Sequence, residues 1–346
     1  MKKIGFLIST LDLGGAERQL VNTVNSLDIQ KYEITIFVLK NKIAIVNQLN
    51  SNIKVEIIGL KKYYNIFALY KCFSVIKKNR PDILHSVMYT SNILSRIYKL
   101  FNRKVKVVNH IHGLGTWKKK HHIYIDRVLL SFVNKLLVVS EASKKLRLSR
   151  EKYPENKIEV LYNSIDTKKF SVSNKVANKV FTFGTASRLI ELKQVDKTIE
   201  LVSSLKERGI ITHLLIAGEG PLEKQLMRLV KEKKLEGQVF FKGKLDSMID
   251  FYHKIDCLLL FSRTEDLPMV IIEAFASGLP VISTNVGGVS ELIDPNIGLL
   301  IDNDLSIDSQ VGIISKFISM LDTEETEDKN TNFAVSFFDN RVHQKN

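Results

Sequence analysis

Short apolar runs recur along the chain, each followed by a turn signal and then by an amphipathic stretch. The first run, Ile4–Ile8, leads through Gly14 and Gly15 into a helical pattern over Ala16–Leu27. Because buried strands that alternate with amphipathic helices are typical of parallel sheets covered on both faces, the pattern predicts a doubly wound α/β fold. The predicted strands of the first half are Ile4–Ile8, Ile34–Leu39, Val55–Ile58, Ile83–His85, Val105–Asn109 and Lys135–Val139.

A second series of the same kind follows a polar stretch, Thr167–Lys179, that has no hydrophobic periodicity. The pattern therefore predicts two tandem Rossmann-like domains, residues 1–170 and 171–320. Residues 321–346 are predicted to be a polar tail, with a loop over Thr323–Asn332 and a short helix near Phe337–Val342 that returns to the first domain. The predicted strands of the second half are Phe181–Gly184, Leu214–Ala217, Val239–Phe241, Cys257–Phe261 and Pro280–Ser283, and its helices are Gln194–Glu207, Pro221–Lys233 and Val270–Ala276.

Length and composition agree with two ordinary globular domains. The chain has 346 residues, of which 45% are hydrophobic and 25% charged, which excludes disordered, collagen-like and disulfide-scaffold classes. Cys72 and Cys257 are far apart in sequence, which excludes a disulfide framework and a thiolate zinc site and fits a reducing cytoplasm. No run approaches the roughly 18 apolar residues of a membrane span, so we expect any membrane contact to be peripheral.

The net charge of +14 is concentrated in the first half of the chain. Residues 1–170 carry +19 and the remainder carries −5, which suggests that the two domains face different partners. Lysines interleaved with aromatic residues suit an anionic membrane surface; solvated helices with core aromatics are the alternative. The basic clusters are Lys61–Phe73 with Lys77–Arg80, then Lys99, Arg103, Lys104 and Lys106, and finally Trp117–Lys120.

Candidate ligand-binding residues follow several predicted strands. Gly14 and Gly15 open a helix, where exposed N–H groups favour an anion; a plain tight turn is equally compatible. Glu265 and Glu273 are eight positions apart, with Glu265 expected in the loop after a strand and Glu273 in the next helix. At these positions the two glutamates would accept hydrogen bonds from a hydroxyl-rich ligand. The alternative is that the first is an exposed acid favoured by the helix dipole and the second belongs to a solvated helix face.

Two cations also follow a strand end. Arg188 and Lys193 suit a diphosphate at a crevice of the sheet, although ordinary surface charge explains them as well. Neither a G-x-G-x-x-G fingerprint nor a P-loop is present.

Taken together, these motifs resemble those of retaining glycosyltransferases of the large family 4, the glycosyl transferases group 1 type, which have the GT-B fold. The resemblance runs from the first glycine pair to about residue 302. The residues that carry it are Gly14–Glu17, His112–Gly113, Ser140–Glu141, Asn163–Asp166 with Phe170, Arg188 with Lys193, Gly218–Pro221, Glu265–Glu273, Pro280 and Gly287–Gly288.

The resemblance implies that a nucleotide-sugar lies in a cleft between the domains and is held mainly by the second. It implies that Glu273 binds the ribose and that Glu265 binds the transferred sugar. The catalytic residues implied are Glu265, Arg188, Lys193 and His112, and the nucleotide-sugar-binding residues are Glu273, Gly14, Gly15, Asp266, Leu267 and Pro268. Many family members have glycine where this chain has Asp266, which is expected to reshape the loop at the sugar.

The leading prediction is a hexosyltransferase at the inner face of the cytoplasmic membrane. It would move a sugar from a UDP- or GDP-sugar to a lipid-linked or surface-polysaccharide acceptor, with no metal and no cofactor. A nucleotide-sugar epimerase of the same fold is the alternative, and nucleic-acid binding by the basic half is a more remote one because no nucleic-acid-binding motif accompanies the charge. His110, His112, His121 and His122 lack a carboxylate or Cys at metal-ligand spacing.

Overall fold

The structure, a computed structural model, describes residues 1–61, 65–170, 178–321 and 323–339, and of residues 323–327 it describes the backbone alone. The chain divides into two compact units, each built on its own parallel sheet. The first unit contains Met1–Ser164 and the second begins at Ile165, whereas the sequence placed the boundary at residues 170 and 171. Residues 171–177 of the predicted polar linker lie outside the described residues.

The first sheet has seven parallel strands in the order β3-β2-β1-β4-β5-β6-β7. The six predicted strands are confirmed, and a short edge strand, β7, is added to them. The strands are β1 (Lys2–Ile8), β2 (Tyr32–Val38), β3 (Lys54–Ile57), β4 (Ile83–Val87), β5 (Lys106–Ile111), β6 (Lys135–Val138) and β7 (Ile158–Val160). The helices between them are α1 (Gly15–Ser26), α2 (Ile66–Asn79), α3 (Tyr89–Phe101), α4 (Lys120–Leu129) and α5 (Glu141–Ser149).

The second sheet has six parallel strands in the order β10-β9-β8-β11-β12-β13. Its five predicted strands are confirmed, and β13 is an additional edge strand. The strands are β8 (Thr182–Ala186), β9 (His213–Ala217), β10 (Val239–Gly243), β11 (Cys257–Leu260), β12 (Val281–Thr284) and β13 (Gly298–Ile301). The helices are α6 (Val195–Glu207), α7 (Glu223–Glu232), α8 (Ile249–Tyr252), α9 (Met269–Ala276), α10 (Ile307–Met320) and α11 (Thr323–Phe338).

Both sheets have the predicted doubly wound topology. In each, strand order reverses beside the first strand, between β1 and β4 in one and between β8 and β11 in the other. Apolar side chains of the strands and their covering helices form separate cores, with Phe37 and Cys72 in the first unit and Phe183 and Val202 in the second. Ligands of such sheets bind where the strand order reverses, at the carboxyl ends of the strands, so each unit has one place of this kind.

The prediction of a loop over Thr323–Asn332 is wrong, because these residues belong to α11. The helix packs on α9 through Phe333, whose ring meets Phe275 edge-on at 5.7 Å between centroids. Ala334 is fully buried, and the buried Asn330 donates a hydrogen bond to Gly278 O at 3.2 Å. Tertiary packing therefore stabilises a helix that the polar sequence did not indicate.

The carboxyl end of α11 is held by the start of the second unit. Ile165 N donates to Phe338 O at 2.8 Å, and Thr167 hydrogen-bonds the carboxylate of Asp339. The rest of the predicted terminal helix, up to Val342, lies outside the described residues. No helix in the described part of the chain is long and apolar enough to cross a membrane.

Candidate active site

The carboxyl ends of β8 and β11 bring the predicted cation and carboxylate of the second unit together. A loop with a short 3₁₀ turn, Glu191–Lys193, follows β8, and the loop that carries Glu265 follows β11. Arg263 N donates to Leu192 O at 2.9 Å, which joins the two loops. As a result, Lys193 Nζ forms an ion pair with Glu265 Oε1 although the residues are 72 positions apart.

The carboxylate of Glu265 is partly buried and has a second donor. Ser262 Oγ donates to the same Oε1 atom at 2.7 Å. Thr284 Oγ1, at the end of β12, accepts from Ser262 N at 3.0 Å and donates to Ser262 O at 2.9 Å. Glu265 is therefore held above the ends of three adjacent strands, with its side chain 10% exposed and that of Lys193 20% exposed.

Glu273 lies inside α9, as predicted, and Glu265 lies in the loop before that helix. The side chain of Glu273 is buried, and its Oε2 accepts a hydrogen bond from Tyr252 Oη at 2.7 Å. Between the two glutamates, Asp266 and Leu267 are buried, and the extended backbone of Pro268 precedes the first turn of the helix. Tyr252 is a neighbour of the site that the sequence did not suggest.

Arg188 is exposed on a loop that packs closely against two glycines. A Cβ on Gly218, whose φ is +127°, would lie 1.9 Å from Ser187 O, and one on Gly220 would lie 2.3 Å from Leu189 O. The loops after β8 and β9 can approach this closely only because both positions lack a side chain. Arg188 projects from this packed pair of loops, and among the described residues its guanidinium has no ion-pair partner.

Gly14 and Gly15 lie at the start of α1 in the first unit, as predicted, but the space beside Gly14 is occupied. A Cβ on Gly14 would lie 2.3 Å from a carboxylate oxygen of Glu17, and the other oxygen of Glu17 accepts from Thr10 Oγ1 at 2.9 Å. An acid is stabilised there by the positive end of the helix. The glycine pair therefore accommodates the chain's own carboxylate in this structure.

His112 follows β5 and belongs to a row of three histidine rings. Its ring centroid is 4.2 Å from that of His110, which is 5.4 Å from that of His85. Burial, together with the charge of His85, lowers the pKa of His112 to about 3. The ring is therefore neutral at neutral pH and can donate or accept a hydrogen bond without adding charge.

A buried ionic network adjoins His112, and the sequence did not indicate it. Asp126 pairs with Arg96 and Lys118 at 2.7 Å each, while Glu151 pairs with Lys118 at 3.1 Å and with Arg147. Lys118, which the sequence placed in a surface cluster, is in fact buried because these carboxylates neutralise it. The only local signal was the spacing of Arg147 and Glu151, one helical turn apart.

The structure thus brings Glu265 and Lys193 into contact, and it places Arg188 and Glu273 on the loop and the helix that adjoin them. Gly14, Gly15 and His112 belong to the other unit. Among the described residues, no three His, Cys, Asp or Glu side chains lie together as metal ligands would.

The sequence matches known protein families over most of its length. A family model described as Glycosyltransferase Family 4 matches residues 13–169, and one described as Glycosyl transferases group 1 matches residues 166–332. The chain belongs to the family 4 glycosyltransferases. It is a transferase of the GT-B fold, and the epimerase alternative is set aside.

Relatives of this glycosyltransferase include enzymes of surface-polysaccharide synthesis. It is 26% identical over 309 residues to the O-antigen biosynthesis glycosyltransferase WbnH of Escherichia coli, covering 88% of this chain and 87% of that one. It is 25% identical over 282 residues to the N-acetyl-alpha-D-glucosaminyl L-malate synthase of Bacillus anthracis, covering 76% and 71% of the two chains.

Solved structures share the fold. The glycosyltransferase superposes on Anabaena Alr3699/HepE, crystallised in complex with UDP, with a TM-score of 0.84 at 19% identity, covering 100% of this chain and 98% of that one. The same Anabaena protein has also been crystallised with UDP-glucose.

Proposed function

We propose that this glycosyltransferase transfers a sugar from a nucleoside diphosphate sugar to an acceptor of surface-polysaccharide synthesis, with retention of configuration at the anomeric carbon. The observation that carries the proposal is the joining of Lys193, Glu265 and Ser262 where β8 and β11 end. A cation and a hydrogen-bonding carboxylate at that position match the two ends of such a donor, a diphosphate and a sugar.

In this proposal, the ion pair between Lys193 and Glu265 breaks when the donor binds, and each side chain contacts the donor instead. Lys193 leaves the carboxylate of Glu265 for the diphosphate, which Arg188 also contacts, and Glu265 turns to the hydroxyls of the sugar. Because both side chains of the pair are partly exposed, separating them costs little. Glu273, already oriented by Tyr252, binds the ribose hydroxyls.

The chemical step that we propose needs electrostatic stabilisation rather than a second catalytic carboxylate. The bond between the anomeric carbon and the diphosphate oxygen breaks while the acceptor oxygen bonds to the same face of that carbon. The proton of the acceptor hydroxyl passes to the departing phosphate. Arg188 and Lys193 stabilise the negative charge that develops on the diphosphate, and the neutral His112 contributes hydrogen bonding without charge. No metal takes part.

UDP- and GDP-sugars are the donors to test, UDP-sugars first because HepE was crystallised with UDP and with UDP-glucose. We expect the cognate donor to raise the melting temperature and to be hydrolysed slowly in the absence of acceptor. Glu265→Ala and Arg188→Ala should each lower hydrolysis by about a thousandfold while the fold is kept. Arg228→Ala, which removes an exposed arginine of α7, is the control, and near-normal hydrolysis by either site variant would refute the assignment.

We further propose that the first unit contacts an anionic membrane at its cytoplasmic face. Exposed apolar residues of α2, namely Ile66, Phe67 and Tyr70, lie beside the exposed Lys71, a combination that favours an interfacial helix. The buried Lys118 no longer counts toward the basic surface, and Lys62, Tyr63 and Tyr64 lie outside the described residues.

Vesicle binding tests the membrane contact. Vesicles containing phosphatidylglycerol should bind the protein in a salt-sensitive way, and neutral phosphatidylcholine vesicles should not. Phe67→Ser should weaken this binding, whereas Phe337→Ser, at an exposed position of the second unit, should not. Equal binding to both vesicle types would contradict the proposal.

A further inference from the structure

A cavity lies in the first unit where α3 begins and the loop after β5 turns. Its lining includes Tyr89, His112, Trp117, Lys118, Asp126 and Arg147. The cavity therefore borders the buried ionic network, and it lies in the unit that does not contain Arg188, Lys193 and Glu265.

Positive charge exceeds negative charge in that network. Among the described residues, it joins the cations Arg96, Lys118 and Arg147 to the carboxylates of Asp126 and Glu151. All five side chains are less than a tenth exposed. One positive charge is thus left without a counter-charge in a buried place, where an uncompensated charge is costly and an anion is strongly favoured.

A buried hydrogen-bond donor at the cavity also lacks an acceptor. Arg147 is fully buried, its Nη1 faces Glu151 and its Nη2 donates to Gly113 O at 2.8 Å. Its Nε–H has no acceptor among the described residues. A guanidinium with a free N–H in a buried site is a ready partner for an oxygen anion.

The start of α3 adds further donors. The helix begins at Tyr89, and the side chain of the preceding Met88 does not cap it. Both residues line the cavity. Because the first-turn N–H groups of a helix have no partner within the helix, its positive end favours an anion at this position.

The size of the cavity selects the kind of ligand group. Its enclosed part is small, about 30 Å³, which suits the head of one small polar group. From the excess charge, the unpartnered Nε–H and the uncapped helix, we propose that the cavity binds an anionic group, a carboxylate or a phosphate, of the acceptor. That this group belongs to the acceptor rests on the proposed function; the anion site itself does not.

The single tryptophan of the chain reports on this site. Trp117 is the only tryptophan in the sequence, it lines the cavity, and its ring meets Tyr89 edge-on at 5.1 Å. Inorganic phosphate or acetate, titrated into the full chain at an ionic strength held constant with chloride, should change Trp117 fluorescence saturably. The tighter of the two probes identifies the group, and no saturable change with either would overturn the proposal.

Two arginine variants separate binding from a purely structural role. Arg147→Lys keeps a charge opposite Glu151 but removes the Nε–H, so binding should weaken about tenfold. Arg103→Lys makes the same change at an exposed position of the same unit and should bind like the unaltered chain. Equal saturation by Arg147→Lys would contradict the proposal. The ¹⁵N resonance of Arg147 Nε in the unaltered chain must also shift with the probe, a readout that requires no variant to fold.

The donor site is distinguished by its own variant. Arg188→Ala should weaken UDP binding and leave the response of Trp117 to phosphate unchanged, since Arg188 belongs to the other unit. Loss of the Trp117 response in Arg188→Ala would mean that phosphate acts from the donor site and would overturn the anion site alone. Arg147→Lys should in turn leave the affinity for UDP unchanged.

Discussion

The two sheets carry charged side chains at corresponding places, near the carboxyl ends of their central strands, but hold them in different ways. In the first unit, Arg96, Asp126 and Lys118 are almost completely buried and share one another as partners. In the second, Lys193 and Glu265 form one pair whose side chains stay 20% and 10% exposed. The first set is shielded from water, and the second is shielded only in part.

This difference in burial determines how easily the ion pairs of each unit can be broken. Breaking a buried network leaves a charge without water or partner, which is strongly unfavourable. A part-exposed pair can be separated at a smaller cost than a fully buried one, because water can reach each partner. The first unit therefore presents charges that hold one another in place, whereas the second keeps Lys193 and Glu265 paired at a position that water can reach.

Removal of one buried carboxylate should have the largest effect. Asp126→Asn leaves the buried Arg96 without a negative partner and leaves Lys118 with Glu151 alone, so the free energy of unfolding of the first unit should fall by about 3 to 5 kcal/mol. Urea denaturation followed by Trp117 fluorescence measures this unit alone. Glu159→Gln, which breaks the exposed pair with Lys135, is the control and should cost less than about 1 kcal/mol. Similar losses in both variants would show that burial does not make the Asp126 network harder to break than an exposed pair.

Acid should weaken the first unit through its histidine row. Burial lowers the pKa of His85 to about 4 and that of His112 to about 3, and that of His110 well below its usual value. The unfolded chain thus binds protons below about pH 6.5 that the folded unit does not. Stability is complete above that pH and is lost as the pH falls toward 4 and then 3.

Between pH 7.5 and 5.5, the loss should be about 1.4 kcal/mol per histidine, or about 4 kcal/mol for the three. Urea denaturation at the two pH values measures it. His85→Phe preserves the stacking on Phe6 and should reduce the loss by about a third. A pH-independent midpoint would show that the folded histidines take up protons freely.

Loss of the tyrosine hydroxyl beside Glu273 should have an intermediate effect. Tyr252→Phe removes a hydrogen bond to a buried carboxylate, which should cost the second unit about 2 kcal/mol. Hydrogen–deuterium exchange of β11 and α9 measures the loss. Affinity for UDP should fall as well because Glu273 loses its orientation. Tyr124→Phe, at an exposed position, is the control.

Separation of the part-exposed pair of Lys193 and Glu265 should have the smallest effect on stability. Lys193→Met should change the free energy of unfolding of the second unit by about 1 kcal/mol or less, while UDP should bind about tenfold more weakly, since one charged contact to the diphosphate is lost. A stability loss as large as that of Asp126→Asn would show that both units use fixed networks.

Local sequence signals were sufficient for eleven of the thirteen strands that the described residues form and for the positions of Lys193 and Glu265 after strand ends. Apolar runs such as Cys257–Phe261 are short and bounded by turn signals, which favours buried strands. Glu265 and Lys193 follow such strands, and the carboxyl ends of parallel strands lie at one edge of a sheet. The short edge strands β7 and β13 were not predicted because three or four residues are too few to show a hydrophobic pattern.

The buried network could not be predicted in this way. Its members are distant in sequence, and a lysine beside two others reads as surface charge until Asp126 and Glu151 are known to lie next to it. The same holds for α11, whose polar composition suggests a loop while its stability comes from contact with α9. Such features depend on tertiary pairing, which local propensity does not encode.

The attachment of α11 also sets an order of events during synthesis. Ile165 and Thr167 are among the first residues of the second unit, yet their partners are Phe338 and Asp339. At roughly 5 to 20 residues per second, the ribosome needs roughly 10 to 35 s to make the residues between them. The first unit can fold throughout that interval, whereas the helix carrying Glu273 lacks its cover until α11 has emerged. A nascent chain stalled before α11 would thus present a first unit that is able to fold, joined to a second unit in which α9 still lacks its cover.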